Sequence, residues 1–116
     1  GKVQMSPAAR DPFDQLRLWI LEMDSEIIEL AEPRSVSYHG PVFFLEVLPR
    51  TNRINLLLAL DFNEVEDPHG VAKDTSQRKF FIHAQYEGGV NIPIWTAEDI
   101  EKALPIVRQA HALVSV

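Results

Sequence analysis

The stretch Pro41-Val-Phe-Phe-Leu-Glu-Val-Leu-Pro-Arg-Thr-Asn-Arg-Ile-Asn-Leu-Leu-Leu-Ala-Leu60 decides the fold. Phe43, Leu45 and Val47 alternate with Phe44, Glu46 and Leu48, which is the period of an extended strand. Pro49-Arg50-Thr51-Asn52 supplies turn chemistry, and Arg53 to Leu60 resumes a strand whose second half is almost wholly apolar. A hairpin this apolar belongs at the centre of a sheet with at least one face covered. Just upstream, Val36 and Tyr38 alternate with Ser35 and Ser37, and His39-Gly40-Pro41 reads as a turn. Residues 34–60 therefore form a three-stranded antiparallel meander.

The flanking segments supply helices and a second pair of strands. Asp11-Pro12 is a helix start, because Asp accepts from free backbone N–H groups and Pro tolerates the first helical position. Leu16, Ile20, Met23, Ile27 and Leu30 then share one helical face, with Asp24-Ser25 as a break point and Pro33 as the stop. Residues 1–10 read as a flexible tail, leaving 11–116 as a single domain. Asp67-Pro68-His69-Gly70 marks a turn within a polar stretch at 61–78. Lys79 to Tyr86 alternates as a strand, and Val90, Ile92 and Ile94 as another, with Pro93 arguing for a sheet edge. Thr96 and Asp99 have the spacing of a capping box. Ile100, Leu104, Val107, His111 and Val114 then form the stripe of a last helix that Pro105 should kink or restart. His111, on that stripe, reads as a hydrogen-bonded core histidine. The expected class is α+β: a mostly antiparallel five-stranded sheet with the N- and C-terminal helices packed on one face.

Bulk composition bounds the function. The 116 residues suit one domain able to bury a core without staples. With no cysteine there is neither a disulfide nor a thiolate metal site, which fits a cytoplasmic setting. No apolar run approaches the ~20 residues that span a bilayer, so no membrane role is expected. The net charge of −6 and the lack of a basic run argue against double-stranded nucleic acid, whose binders concentrate Lys and Arg. Position 1 is not Met, so the first few residues are expected to stem either from an added, excised segment or from a longer parent protein.

Antiparallel geometry indicates which loops meet. Arg34, Arg50 and Arg53 fall at one end of the sheet, where gathered guanidiniums would capture a carboxylate or phosphate. The plainer reading is that they are solvated loop cations paired with Glu32 or Glu46. The opposite end gathers His39, Asp61, Asp67 and His69, a nitrogen and oxygen set able to hold a divalent metal, although a solvated acidic loop explains the same residues. If the helices cover one face only, Phe44, Leu48, Phe81 and Trp95 would form an apolar patch on the other, marking a protein interface. The chain carries no G-x-S-x-G, P-loop, dinucleotide fingerprint or cysteine nucleophile, so no cofactor is expected.

A longer pattern runs from Leu18 to Ala112. It comprises Tyr38 shortly before Phe44, then Val47-x-Pro49-Arg50, an apolar strand ending in Leu60-Asp61, a loop with Asp67-Pro68, and Ile106-Val107-Arg108-Gln109-Ala110-His111. This resembles a family of small bacterial domains of unknown function, loosely catalogued as predicted transport proteins and sometimes appended to restriction-associated proteins. That family usually has Tyr where this chain has His111. The resemblance implies a compact α+β module of a larger protein and brings no catalytic residue with it. The expected function is a non-enzymatic domain that binds a small anion at Arg34, Arg50 and Arg53, or a protein partner or second copy through its open face. The alternative is a metal-dependent hydrolase or nuclease-associated domain using His39, Asp61, Asp67 and His69.

Overall fold

The computed structural model describes residues 3–75 and 89–115. The elements are α1 (Pro7–Met23), β1 (Ile28–Ala31), β2 (Val36–His39), β3 (Phe43–Pro49), β4 (Ile54–Leu58), β5 (Lys73–Asp74), β6 (Val90–Ile94) and α2 (Ala97–Val114). The six strands form one antiparallel sheet in the order β1-β2-β3-β4-β6-β5. This is the expected α+β class with the expected meander, now β2-β3-β4, at its centre. The strand expected at 79–86, and Phe81 with it, lie outside the described residues.

Register converts the sequence alternation into two chemically different faces. Val36, Val47, Leu56 and Ile92 align across four strands, as do Tyr38, Leu45, Leu58 and Val90. These rows share one core with Phe13, Leu16 and Ile20 of α1 and Ile100, Ala103, Val107 and Ala110 of α2. Each buried Val, Leu, Ile or Phe among them contributes about 1.5–3 kcal/mol on burial. The other face carries the row Ser37, Glu46, Leu57 and Asn91. Here Ser35 Oγ donates to Glu46 Oε2 at 3.1 Å, and Ser37 Oγ lies 3.2 Å from Glu32 Oε1 and 3.1 Å from His39 Nε2. Ser37, Glu46 and Leu57 are buried, so the centre of this face is not an open surface.

Four local features depart from the sequence reading. α1 begins at Pro7, because Ser6 accepts from Ala9 N–H at 3.2 Å and a proline at the first helical position has no N–H to satisfy. Pro12 therefore sits inside the helix, and part of the presumed tail is structured. The helix stops at Met23, where Asp24 Oδ1 accepts Glu26 N–H and the Asp24 carbonyl accepts Ile27 N–H. Ile27 and Leu30 thus continue the helical spacing but not the helix; Ile28–Ala31 is an edge strand. A bulge at Tyr38/His39 shifts β3 by one residue, so Phe44 joins Leu45 on the helix side. Finally, Pro105 is accommodated within a continuous α2. The capping box at its start forms as expected, with Thr96 and Asp99 exchanging side chain-to-backbone bonds.

Candidate functional site

Two tight turns at one pole of the sheet present arginines side by side. Glu32 N–H donates to Ser35 O at 2.8 Å across Pro33-Arg34, and Arg50 N–H donates to Arg53 O at 2.8 Å across Thr51-Asn52. The N-terminal segment is tied to the second turn by Ser6 Oγ, which donates to Thr51 O at 2.6 Å. Between these three pieces lies a cleft of about 420 Å³ lined by Val3, Gln4, Pro33, Arg34, Leu48, Pro49 and Arg50. Its volume falls in the range of small-ligand sites, ~300–1,000 Å³.

The electrostatics of the cleft follow from what its arginines do not meet. The ion pairs among the described residues are Arg10–Asp14, Arg17–Glu29, Lys102–Glu98 and His111–Asp24. Arg34 and Arg50 have no ion pair or side-chain hydrogen bond among the described residues, so the plainer expectation of pairing with Glu32 or Glu46 is not met. Both guanidiniums are exposed on a chain of net charge −6, beside apolar walls from Val3, Pro33, Leu48 and Pro49. Because both residues line the same cleft, a group lodged there can meet two guanidiniums.

Arg53 does not join them. Its guanidinium stands 5.6 Å over the Trp95 ring, with Nε donating to Asn55 Oδ1 at 3.2 Å and Nη1 to Asn52 Oδ1 at 3.1 Å. The expected three-arginine site is thus a pair, with the third guanidinium engaged nearby.

The other two candidate sets disperse. Among the described residues no three His, Asp or Glu side chains are grouped to hold a metal. His39 lies on the sheet face against Ser37 and Phe43. Asp61 accepts Asn63 N–H, while Asp67 accepts Val71 N–H at 3.1 Å and Ala72 N–H at 2.8 Å. Gly70, at φ +66°, completes the Asp67 turn, a conformation open to glycine at little cost. These carboxylates organise loop backbone, and His69 is exposed. The interface set separates as well. Phe44 is fully buried beneath α2, its ring 5.4 Å from that of His111, and Leu48 is buried at the edge of the arginine cleft. Of that set, Trp95 is the exposed member among the described residues.

Two features carry no signal in the sequence. The Tyr38 hydroxyl donates to Glu29 Oε2 at 2.7 Å, and Arg17 Nε donates to both Glu29 oxygens at 3.0 and 2.8 Å. Burial, then the Glu29 bond and charge, push the Tyr38 phenol well above the ordinary tyrosine range. The same carboxylate pushes Arg17 up. The second is an exposed hollow at Trp19 between α1 and α2, lined also by Glu22, Met23, Arg108 and His111. His111 is hydrogen-bonded as expected, its Nε2 3.2 Å from Asp24 Oδ2. Asp24 is held below the usual carboxylate range, chiefly by the Glu26 N–H and further by His111.

Comparison with family models, with curated proteins and with solved structures returned no match. No helix among the described residues is long and apolar enough to cross a membrane.

Proposed function

We propose that this chain is a non-enzymatic domain that binds a small organic anion, a carboxylate or phosphate, between Arg34 and Arg50. The observation that carries this reading is the pair of arginines without an ion partner among the described residues, lining one apolar-walled cleft. Guanidinium forks match carboxylate and phosphate oxygens in pairs, and the apolar walls accept a short hydrocarbon body. The turns that carry the arginines are closed by backbone hydrogen bonds, so the ordering cost of binding falls on the two side chains rather than on the backbone. Nothing in the geometry of the described residues favours the metal-dependent alternative.

A thermal-shift series at constant ionic strength tests the proposal. Hexanoate and inorganic phosphate should raise the midpoint of the wild-type domain in a saturable manner, because a ligand that binds only the folded state stabilises it by mass action. Arg34→Gln and Arg50→Gln should each abolish most of the rise while leaving the unliganded midpoint nearly unchanged. Equal rises in wild type and both variants would remove the cleft from the account.

A further inference from the structure

Away from the arginine cleft, α1 and α2 leave exposed a hollow that Trp19 and Met23 share with three ionisable side chains. Leu18 and Trp19 are 59% and 45% exposed, large values for such side chains. A hollow of about 420 Å³ is lined by Trp19, Glu22, Met23, Arg108 and His111, and a smaller one of about 240 Å³ adjoins it at Leu18, Trp19 and Glu22. The spacing explains the arrangement: Trp19, Glu22 and Met23 share one face of α1, and Arg108 and His111 lie three residues apart on α2.

The charges around this floor select an occupant. Glu22 and Arg108 are both exposed, both line the larger hollow, and neither has an ion pair among the described residues, with each other or elsewhere. His111 faces the same hollow but is engaged by Asp24. A basic peptide would answer Glu22 and leave Arg108, and an acidic peptide the reverse. An anionic surface would answer Arg108 and be repelled by Glu22. A second copy answers both. In a two-fold interface the same patch meets itself, so a residue that contacts a given position in the partner is contacted by that position in return. A two-fold axis at this hollow can set Glu22 of each copy against Arg108 of the other, with Trp19, which lines the same hollow, between them.

We therefore propose that this domain forms a two-fold homodimer through the α1–α2 hollow, with Trp19 at its centre and reciprocal Glu22–Arg108 pairs at its rim. The surface is separate from the arginine cleft, so the dimer and the anion site stand or fall independently. Large aromatic anchors ringed by polar residues are the usual composition of an interface centre.

Sedimentation equilibrium over protein concentrations up to about 1 mM tests this. The wild type should pass from 13.2 kDa to twice that mass as concentration rises. Glu22→Arg and Arg108→Glu should each weaken self-association by at least about tenfold through like-charge contact, and the double exchange should restore it to within about threefold of wild type. Trp19→Ala should abolish it. Both charges are on the surface, so circular dichroism should report an unchanged fold in every variant. A monomer at every concentration overturns the proposal. So does a dimer indifferent to the single reversals, and so does a double exchange that fails to restore association.

Discussion

Removing one oxygen atom, in Tyr38→Phe, probes how the helix layer is fastened to the edge of the sheet. The Tyr38 side chain is fully buried and its hydroxyl donates to Glu29 Oε2 at 2.7 Å. A hydrogen bond to a charged acceptor contributes about 1.5–3 kcal/mol. Glu29 keeps both bonds to Arg17 after the change, so no buried carboxylate is orphaned, and that pair is partly solvent-screened. The expected cost at pH 7 is therefore about 1–2 kcal/mol, or roughly 4–8 °C in Tm for a domain of this size. The pH dependence is more discriminating. Burial and Glu29 raise the folded-state pKa of Tyr38, so the folded chain retains a proton that the unfolded chain releases above about pH 10. The phenol's stabilisation is thus fully present below about pH 10 and is lost as pH rises, by about 1.4 kcal/mol at pH 11. The phenylalanine variant has no such loss at this position. Urea denaturation at pH 7, 10 and 11 should show the gap between the two proteins closing by pH 11. A gap that stays constant to pH 11, or no gap at pH 7, would refute this account of the Tyr38–Glu29–Arg17 linkage.

Two further outcomes concern the core and the acidic loop. Leu56→Ala removes a fully buried side chain from the row that joins four strands, and chemical denaturation should show a loss of about 3–5 kcal/mol, against at most about 0.5 kcal/mol for exposed Leu18→Ala. Asp67→Ala deletes the acceptor for two loop N–H groups and should cost about 1–2 kcal/mol, and a melt with Mn²⁺ or Zn²⁺ should show no rise in the wild type. A metal-dependent rise that disappears in His69→Ala would instead revive the metal reading.

The sheet centre was legible because alternation and register agree there. Leu45, Val47, Ile54, Leu56 and Leu58 are apolar on one face at period two, and each lands in a row with like neighbours. Ile27 to Ala31 misleads for a physical reason. Its apolar residues continue the helical spacing from Leu16, and what ends the helix is local: Asp24 turns the backbone through two hydrogen bonds, and the β-branched Ile27-Ile28 pair suits the strand that follows. Simple alternation places Phe44 on the wrong face because a one-residue bulge reverses it and leaves no trace in composition. At the arginine pole the turns place Arg34 and Arg50 together, which antiparallel geometry anticipates. The withdrawal of Arg53 onto Trp95 depends on how β4 and β6 align, with Ile54 opposite Ile94. Val3 and Gln4 entered the cleft because Ser6 ties the N-terminal segment to Thr51, a contact across 45 positions that no local pattern announces.

The arginine cleft is tested most directly by watching the guanidiniums themselves. Two-dimensional NMR of the arginine Nε–H groups, recorded while the wild-type domain is titrated with hexanoate or phosphate at fixed ionic strength, reads each arginine separately. The account predicts that Arg34 and Arg50 shift together along one saturating curve while Arg53, held over Trp95, stays in place. Unsaturating drift shared by every arginine, or a larger response at Arg53 than at the pair, would contradict it.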